Sequence, residues 1–330
     1  MRVLVTGATG LLGNNVVKTL TDRGYHVNVI VRDEQNLCVR NEKVDVYKGS
    51  FLSFDDLSAA STGCDAIIHA GAATDMSLGL DDFINVNVGG VKNIIDVSKK
   101  NNINRIVFIS SANTIGFGSP LRLADESCPI QYPFSESYYA KSKLMAEELI
   151  KEYANSGIEN SRHVVILNPG FMLGAYDTKP SSGQLLKAGY RKPLMLAPKG
   201  GKSFIHVRDV AEAAANALTL GRNGENYILA NFNMSIIDFY KLSAKTCGYK
   251  QVVVPVPNTL ICVIGFLGDC LRKIGIKSQV SLINVRQLCV KEYYSSAKAK
   301  QELNLHATSL EEAISDCENF LIKRKMLCSK

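Results

Sequence analysis

Hydrophobic positions in the first half of the chain alternate between two periods. Short runs rich in β-branched residues, Arg2–Thr6, Val27–Val31, Ala66–His69 and Ile106–Ser110, are separated by stretches in which apolar residues recur every three or four positions. That alternation predicts parallel strands joined by helices, in a doubly wound sheet covered on both faces. Val164–Leu167 is a further strand, stopped at Asn168-Pro169-Gly170. From about residue 175 the regularity fades into a loop, Asp177–Gly183, rich in Lys, Pro, Ser and Gly, followed by short elements. Phe204–Val207 and an alanine-rich helix from Asp209 to Leu220 read as a return to the first unit. No internal repeat or low-complexity tract interrupts the chain.

Composition narrows this picture. With 330 residues and 46 % hydrophobic side chains the chain can bury a full core and carry a second, smaller unit. Its start, MRVLVTGATG, is a strand entering a glycine turn and not a secretory signal. Nine cysteines (Cys38, Cys64, Cys128, Cys247, Cys262, Cys270, Cys289, Cys317, Cys328) are odd in number and lack zinc-ligand spacing. They read as reduced thiols in a cytoplasm, with no metal site. The longest apolar run, Leu260 to Leu267, falls short of the ~20 residues that cross a bilayer. The net charge of +7 is not arranged as a basic stripe interleaved with aromatics, so no nucleic-acid partner is expected, and Lys323-Arg324-Lys325 reads as a solvated tail.

The chemistry begins at Thr6-Gly7-Ala8-Thr9-Gly10-Leu11-Leu12-Gly13, between the first strand and a helix with Leu12, Val16, Val17 and Leu20 on its apolar side. Gly7 permits a tight turn, Gly10 lets backbone amides approach a pyrophosphate, and Gly13 lets helix pack closely on strand. The backbone from Gly7 through Thr9, Gly10, Leu11, Leu12 and Gly13 is therefore the candidate dinucleotide cradle of a Rossmann-type domain. That domain is placed at residues 1–174 and 204–230, with a smaller α+β C-terminal substrate domain at 175–203 and 231–330. A phosphate-loop NTPase is disfavoured, because Leu196 stands where a glycine should precede Gly201-Lys202-Ser203. At the tip of the second strand Arg32 favours the 2′-phosphate of NADP, while Asp33 keeps NAD open.

Tyr139 and Lys143 lie four residues apart in Ser137-Tyr138-Tyr139-Ala140-Lys141-Ser142-Lys143-Leu144-Met145-Ala146-Glu147, on one face of a helix. An ammonium near a tyrosine favours its anion, as proton transfer near neutral pH requires. Ser111 ends the strand Ile106–Ser110 at the carboxyl side, where it can donate to a developing oxyanion. Ser110 and Tyr138 are the less suitable neighbours.

These residues resemble the extended short-chain dehydrogenase/reductase family, within the NAD-dependent epimerase/dehydratase superfamily. The marks are Thr6–Gly13, Asp65–Ala73, Ser111, Tyr139 with Lys143, Asn87–Asn93, Asn168-Pro169-Gly170 and Phe204–Ala211. Within it, Val31-Arg32-Asp33, Asp177–Gly183 and Ser295–Lys300 look like dihydroflavonol 4-reductases and hopanoid-associated sugar epimerase-like proteins. The resemblance implies that Tyr139 exchanges the proton, Lys143 bonds the nicotinamide ribose and lowers the tyrosine pKa, and Ser111 polarises the carbonyl. It also places Ser50, Phe51, Ala70, Gly71, Ala72, Pro169, Gly170 and Phe171 along the cofactor. Ser50 stands where an aspartate often contacts adenine; Arg208 and Asn14-Asn15 also depart from the family pattern.

The reading is an NADP-dependent reductase of a ketone or aldehyde, with Thr74, Asp75, Met76, Asn113, Thr114 and Met172 toward the substrate. The alternatives are a nucleotide-sugar epimerase with tightly bound NAD, and a non-catalytic dinucleotide-binding regulator. A dehydratase is disfavoured because Ala112-Asn113 are not acidic. Thr259–Leu271 reads as a lid over an apolar pocket and not as a membrane-docking segment. The partner is a small carbonyl or alcohol, with a homodimer left open.

Overall fold

The computed structural model describes residues 1–156, 162–276, 278 and 280–327, so Cys328 lies outside the described residues. Seven strands form one sheet: β1 (Arg2–Thr6), β2 (His26–Val31), β3 (Val44–Lys48), β4 (Ala66–His69), β5 (Arg105–Ile109), β6 (His163–Pro169) and β10 (Asn226–Leu229). Their order is β10-β6-β5-β4-β1-β2-β3 and every pairing is parallel. Side chains of successive residues point to opposite faces, and both faces are buried. Val3, Val5, Ile68, Val107 and Val165 enter one core, while Leu4, Ile67, Ile106, Phe108 and Ile166 enter the other. This two-sided burial is why the strands read as unbroken apolar runs. The sheet is the Rossmann-type fold that the pattern predicts.

Helices α1 (Leu11–Asp22) and α7 (Val207–Asn216) pack on the first face. The second carries α2 (Phe54–Ser61), α4 (Gly89–Lys100) and α5 (Tyr138–Asn155). A short α3 (Leu80–Phe83) runs through a π-turn at Ile84–Val88 into α4, an irregularity that the apolar period did not reveal. The alanine-rich helix starts at Val207, not Asp209, because the His206 side chain accepts from Arg208 N at 3.0 Å and caps it. It ends at Asn216, ahead of Leu220.

The remaining strands form two small sheets. In one, β9 (Gly201–His206) pairs parallel with β7 (Phe171–Leu173) and antiparallel with β11 (Phe232–Ser235). In the other, β8 (Leu194–Pro198) lies parallel to β12 (Val252–Val256). Strand β9 serves both cores: Ile205 enters the core of the large sheet, and Phe204 stacks on Phe239 at 4.7 Å in a separate core. That second core also receives α6 (Gly183–Gly189), α8 (Ile236–Thr246) and α12 (Leu310–Lys323). Helices α9 (Asn258–Lys273) and α10 (Leu282–Gln287) pack on each other, and α11 (Ala297–Glu302) covers β10.

Candidate active site

The carboxyl ends of β1, β2, β4, β5 and β6 lie along one edge of the large sheet, and its order reverses between β1 and β4. An open parallel sheet leaves a ligand crevice at that point. The glycine turn occupies it. Gly7 has φ +70, and a Cβ there would sit 2.6 Å from Gly71 N. A Cβ on Gly13 would lie 2.0 Å from Gly7 O, so only glycine lets α1 approach β1. Gly10 precedes α1 with no side-chain cap, and the first turn, including Leu11 and Leu12, holds no acidic residue. A helix start of that kind favours an anion. These features fit a dinucleotide diphosphate held by the backbone from Gly7 to Gly13. Thr9 O accepts from Thr178 Oγ1 at 2.8 Å, and Asn15 Nδ2 donates to Ala175 O at 3.0 Å, tying the turn to the following loop. Asn14 accepts from Cys38 N at 2.7 Å and donates to Asn36 O, which gives the two departures at 14 and 15 a structural purpose.

Beyond β2, Arg32 is exposed and has no ion pair among the described residues. The Asp33 carboxylate accepts from Gln35 N at 2.9 Å, capping a short turn. The ring of Phe51 lies between Gly71 and Gly90; a Cβ on either would reach within 2.8 Å of it. Ser50 Oγ accepts from Leu52 N at 3.2 Å and Ser50 N donates to Asp56 at 3.1 Å. Ala70 and Ala72 flank Gly71 past the end of β4, partly buried. Pro169 closes β6, followed by Gly170 and Phe171, whose ring meets Phe204 edge-on at 5.4 Å.

Ser137 caps α5, the capping geometry that places Tyr139 and Lys143 in its first two turns. The Tyr139 phenol faces the Ser111 hydroxyl, so the end of β5 and the start of α5 meet here. Lys143 is buried; its Nζ donates to Ile109 O at 2.6 Å and lies 4.3 Å from the Phe108 ring centroid. Burial lowers the Lys143 ammonium to about 7, with the nearby Glu147 carboxylate opposing. Tyr139 departs from expectation: burial raises its pKa, the Ser111 hydroxyl opposes that shift and the Glu147 charge adds to it. Burial, reinforced by the Lys143 charge, pushes His69 down to about 3, so it stays neutral, sharing a 2.7 Å hydrogen bond with Thr6 Oγ1.

The group behind this pair leaves no mark in the apolar periodicity of the helix. Glu147, one turn after Lys143, is buried, and its carboxylate accepts from Ser110 Oγ, Thr114 Oγ1 (2.6 Å), Asn168 Nδ2 (2.7 Å) and Asn226 Nδ2 (2.9 Å). Ser110 is thereby spent on Glu147 while Ser111 faces Tyr139. Asn87, inside the π-turn, accepts from Ala73 N at 2.8 Å and donates to Ser142 Oγ at 2.9 Å, fixing the loop after β4 to α5. The signal for Glu147 was its place on the Tyr139–Lys143 face at the next four-residue step.

A cavity of about 290 Å³ opens beside Tyr139, lined by apolar Met76, Leu78 and Phe83 and by polar Glu136, Ser281 and Asn284, and closed by Asp269 and Arg272 of α9. Of the residues expected toward substrate, Met76 lines it. Thr74 and Asp75 are exposed in the preceding loop, and Asn113 is partly buried beyond Ser111. Thr114 is buried in the Glu147 network, and Met172 packs against the core of the large sheet.

The sequence model of the NAD dependent epimerase/dehydratase family matches residues 3–231. The chain belongs to this family. It is an NAD(P)-dependent enzyme of the extended short-chain dehydrogenase/reductase type. A Synechocystis sp. protein provisionally named a dihydroflavonol 4-reductase is 30 % identical over 324 residues, covering 94 % of this chain and 92 % of that relative. The Stigmatella aurantiaca 4-hydroxy-2-methyl-3-oxo-4-farnesyl-3,4-dihydroquinoline-1-oxide ketoreductase is 30 % identical over 277 residues, 82 % of this chain and 80 % of its own. The crystal structure of gox2253 superposes with a TM-score of 0.83 at 26 % identity, covering 99 % of both chains.

Proposed function

We propose that this family member is an NADP-dependent reductase of a ketone or aldehyde. The observation that carries this reading is Tyr139 facing Ser111 with buried Lys143 one helical turn on, beside a cavity of mixed polar and apolar lining at the carboxyl edge of the sheet. When bound, the dinucleotide supplies the hydride. Tyr139 gives its phenolic proton to the substrate oxygen, Ser111 donates a hydrogen bond to the same oxygen, and Lys143, charged below about pH 7, holds positive charge beneath them. The reductase names of the two curated relatives agree with this direction. We take residues 1–174 and 204–230 as the dinucleotide half and 175–203 with 231–330 as the substrate half, with β9 shared between their cores.

NADP preference rests on Arg32. It is free to meet a 2′-phosphate, whereas the Asp33 carboxylate, the group that would bond a ribose 2′-hydroxyl, already caps the turn after β2. Fluorescence titration with NADPH and NADH checks this. NADPH binds more tightly to the native protein, and Arg32→Ala weakens NADPH alone by about 10- to 100-fold, the value of a charge-assisted hydrogen bond. A tightly held, stoichiometric NAD released from the purified protein would overturn the reading in favour of an epimerase.

A further inference from the structure

Helix α9 is amphipathic in the inverse sense. A surface helix of a globular protein turns its apolar stripe to the core. Here the inward face carries Gly265, Gly268, Asp269 and Arg272. Gly265 lies so close to α10 that a Cβ would be 2.4 Å from Val285 Cγ2, and one on Gly268 would be 2.3 Å from Val280 O. Asp269 accepts from Leu282 N at 3.0 Å, and Arg272 donates to Met76 O at 2.6 Å and to Ser278 O at 2.8 Å. The outward face carries Leu260, Val263, Ile264, Phe266, Leu267 and Leu271, each 43–59 % exposed. Strand β12 leads into this helix through Pro257, and the β8–β12 pair repeats the arrangement. Met195 and Val253 pack on the second core, while Leu194, Leu196, Val252 and Val254 are exposed. Apolar surface of this extent marks a contact site.

Charge identifies the occupant. Residues 183–200 and 248–291 hold ten lysines and arginines and one carboxylate, Asp269, a net +9 in sequence against −2 for the remainder; Asp269 and Arg272 both turn inward, and Lys277 lies outside the described residues. Arg191, Lys192 and Lys250 are exposed beside the β8–β12 face. A second copy would set one such basic face against another, whereas an anionic lipid surface complements it. No helix among the described residues is long and apolar enough to cross a membrane, so α9 would lie in the plane of the interface.

We propose that α9 and the outer face of β8–β12 dock this protein on a membrane leaflet bearing anionic phospholipid. Asp269 and Arg272 on the inner side of the same helix wall the cavity beside Tyr139, so docking places that cavity one helix away from the leaflet. On the reductase reading, the substrate is then a lipid-soluble carbonyl compound drawn from the bilayer. That last step rests on the proposed function; the docking surface does not.

The chain contains no tryptophan, so Phe266→Trp introduces one emitter on the exposed face. With the full-length protein, we expect its emission to shift to the blue on adding vesicles of phosphatidylcholine with phosphatidylglycerol. Partitioning should be about tenfold or more stronger than onto phosphatidylcholine alone, and weaker at high salt. In co-flotation, Val263→Ser combined with Leu267→Ser should release the protein from vesicles, while Leu121→Ser, at a 99 % exposed leucine elsewhere, should not. Unchanged thermal melting and NADPH binding establish that the variants fold. Absence of the shift, equal flotation of the double variant, or a dimer that the double substitution dissociates would each overturn membrane docking. None of these results bears on NADPH-dependent carbonyl reduction, which is assayed separately.

Discussion

Glu147 touches neither of the groups proposed to meet the substrate, yet side chains from four places in the chain converge on its carboxylate. Both oxygens accept, from Ser110, Thr114, Asn168 and Asn226, and the charge stands near buried Lys143. Glu147→Gln puts an amide where only acceptors fit, so at least one buried donor loses its partner. That change should lower stability by about 1–3 kcal/mol, read as a shifted urea midpoint at constant m-value. It should also lower the Lys143 pKa further, moving the pH dependence of turnover to lower pH, a shift that loss of packing alone would not produce. At this scale the sequence was informative where a residue type has few uses. Gly13, whose Cβ would strike Gly7 O, and the Tyr139–Lys143 step were legible from spacing. Glu147 was not, because a glutamate late in a helix is ordinarily solvated; only the fold reveals the strand-end amides and hydroxyls that meet it.

At the scale of elements, the parallel strands were legible because burial on both faces leaves unbroken apolar runs. The π-turn at Ile84–Val88 was hidden, since one inserted residue barely alters a 3.6-residue period over so short a stretch. Strand β9 was recognised as ordered but given to one unit, because alternation along a strand does not say which two cores its faces will meet. Helix α9 was read as a lid. Its inner face does wall the cavity beside Tyr139, but a helix that buries glycines and exposes leucines cannot be oriented by hydrophobicity alone.

Across the whole molecule, one sheet edge gathers the glycine turn, Arg32, Ser111 and the start of α5, and the second core carries the elements that close the cavity. Burial of Lys143 at this junction links the site to global stability. The folded pKa is about 7 and the unfolded value about 10.4, so between them the unfolded chain binds more protons. Stability therefore gains from this group as pH rises from 7, by up to about 1.4 kcal/mol per unit. Urea midpoints at pH 7, 8 and 9 should show that rise, and Lys143→Met should flatten it; parallel slopes for the two proteins would assign it to other groups.

In the proposed mechanism Tyr139 passes the proton while the dinucleotide is held by other residues. This is tested most directly by following NADPH consumption with a panel of lipophilic ketones and aldehydes, for the native enzyme and Tyr139→Phe at matched NADPH saturation. The expected result is a native activity that falls by about 10²- to 10⁴-fold in the variant, with NADPH affinity nearly unchanged. A Tyr139→Phe enzyme that turns over like the native protein would contradict the assignment.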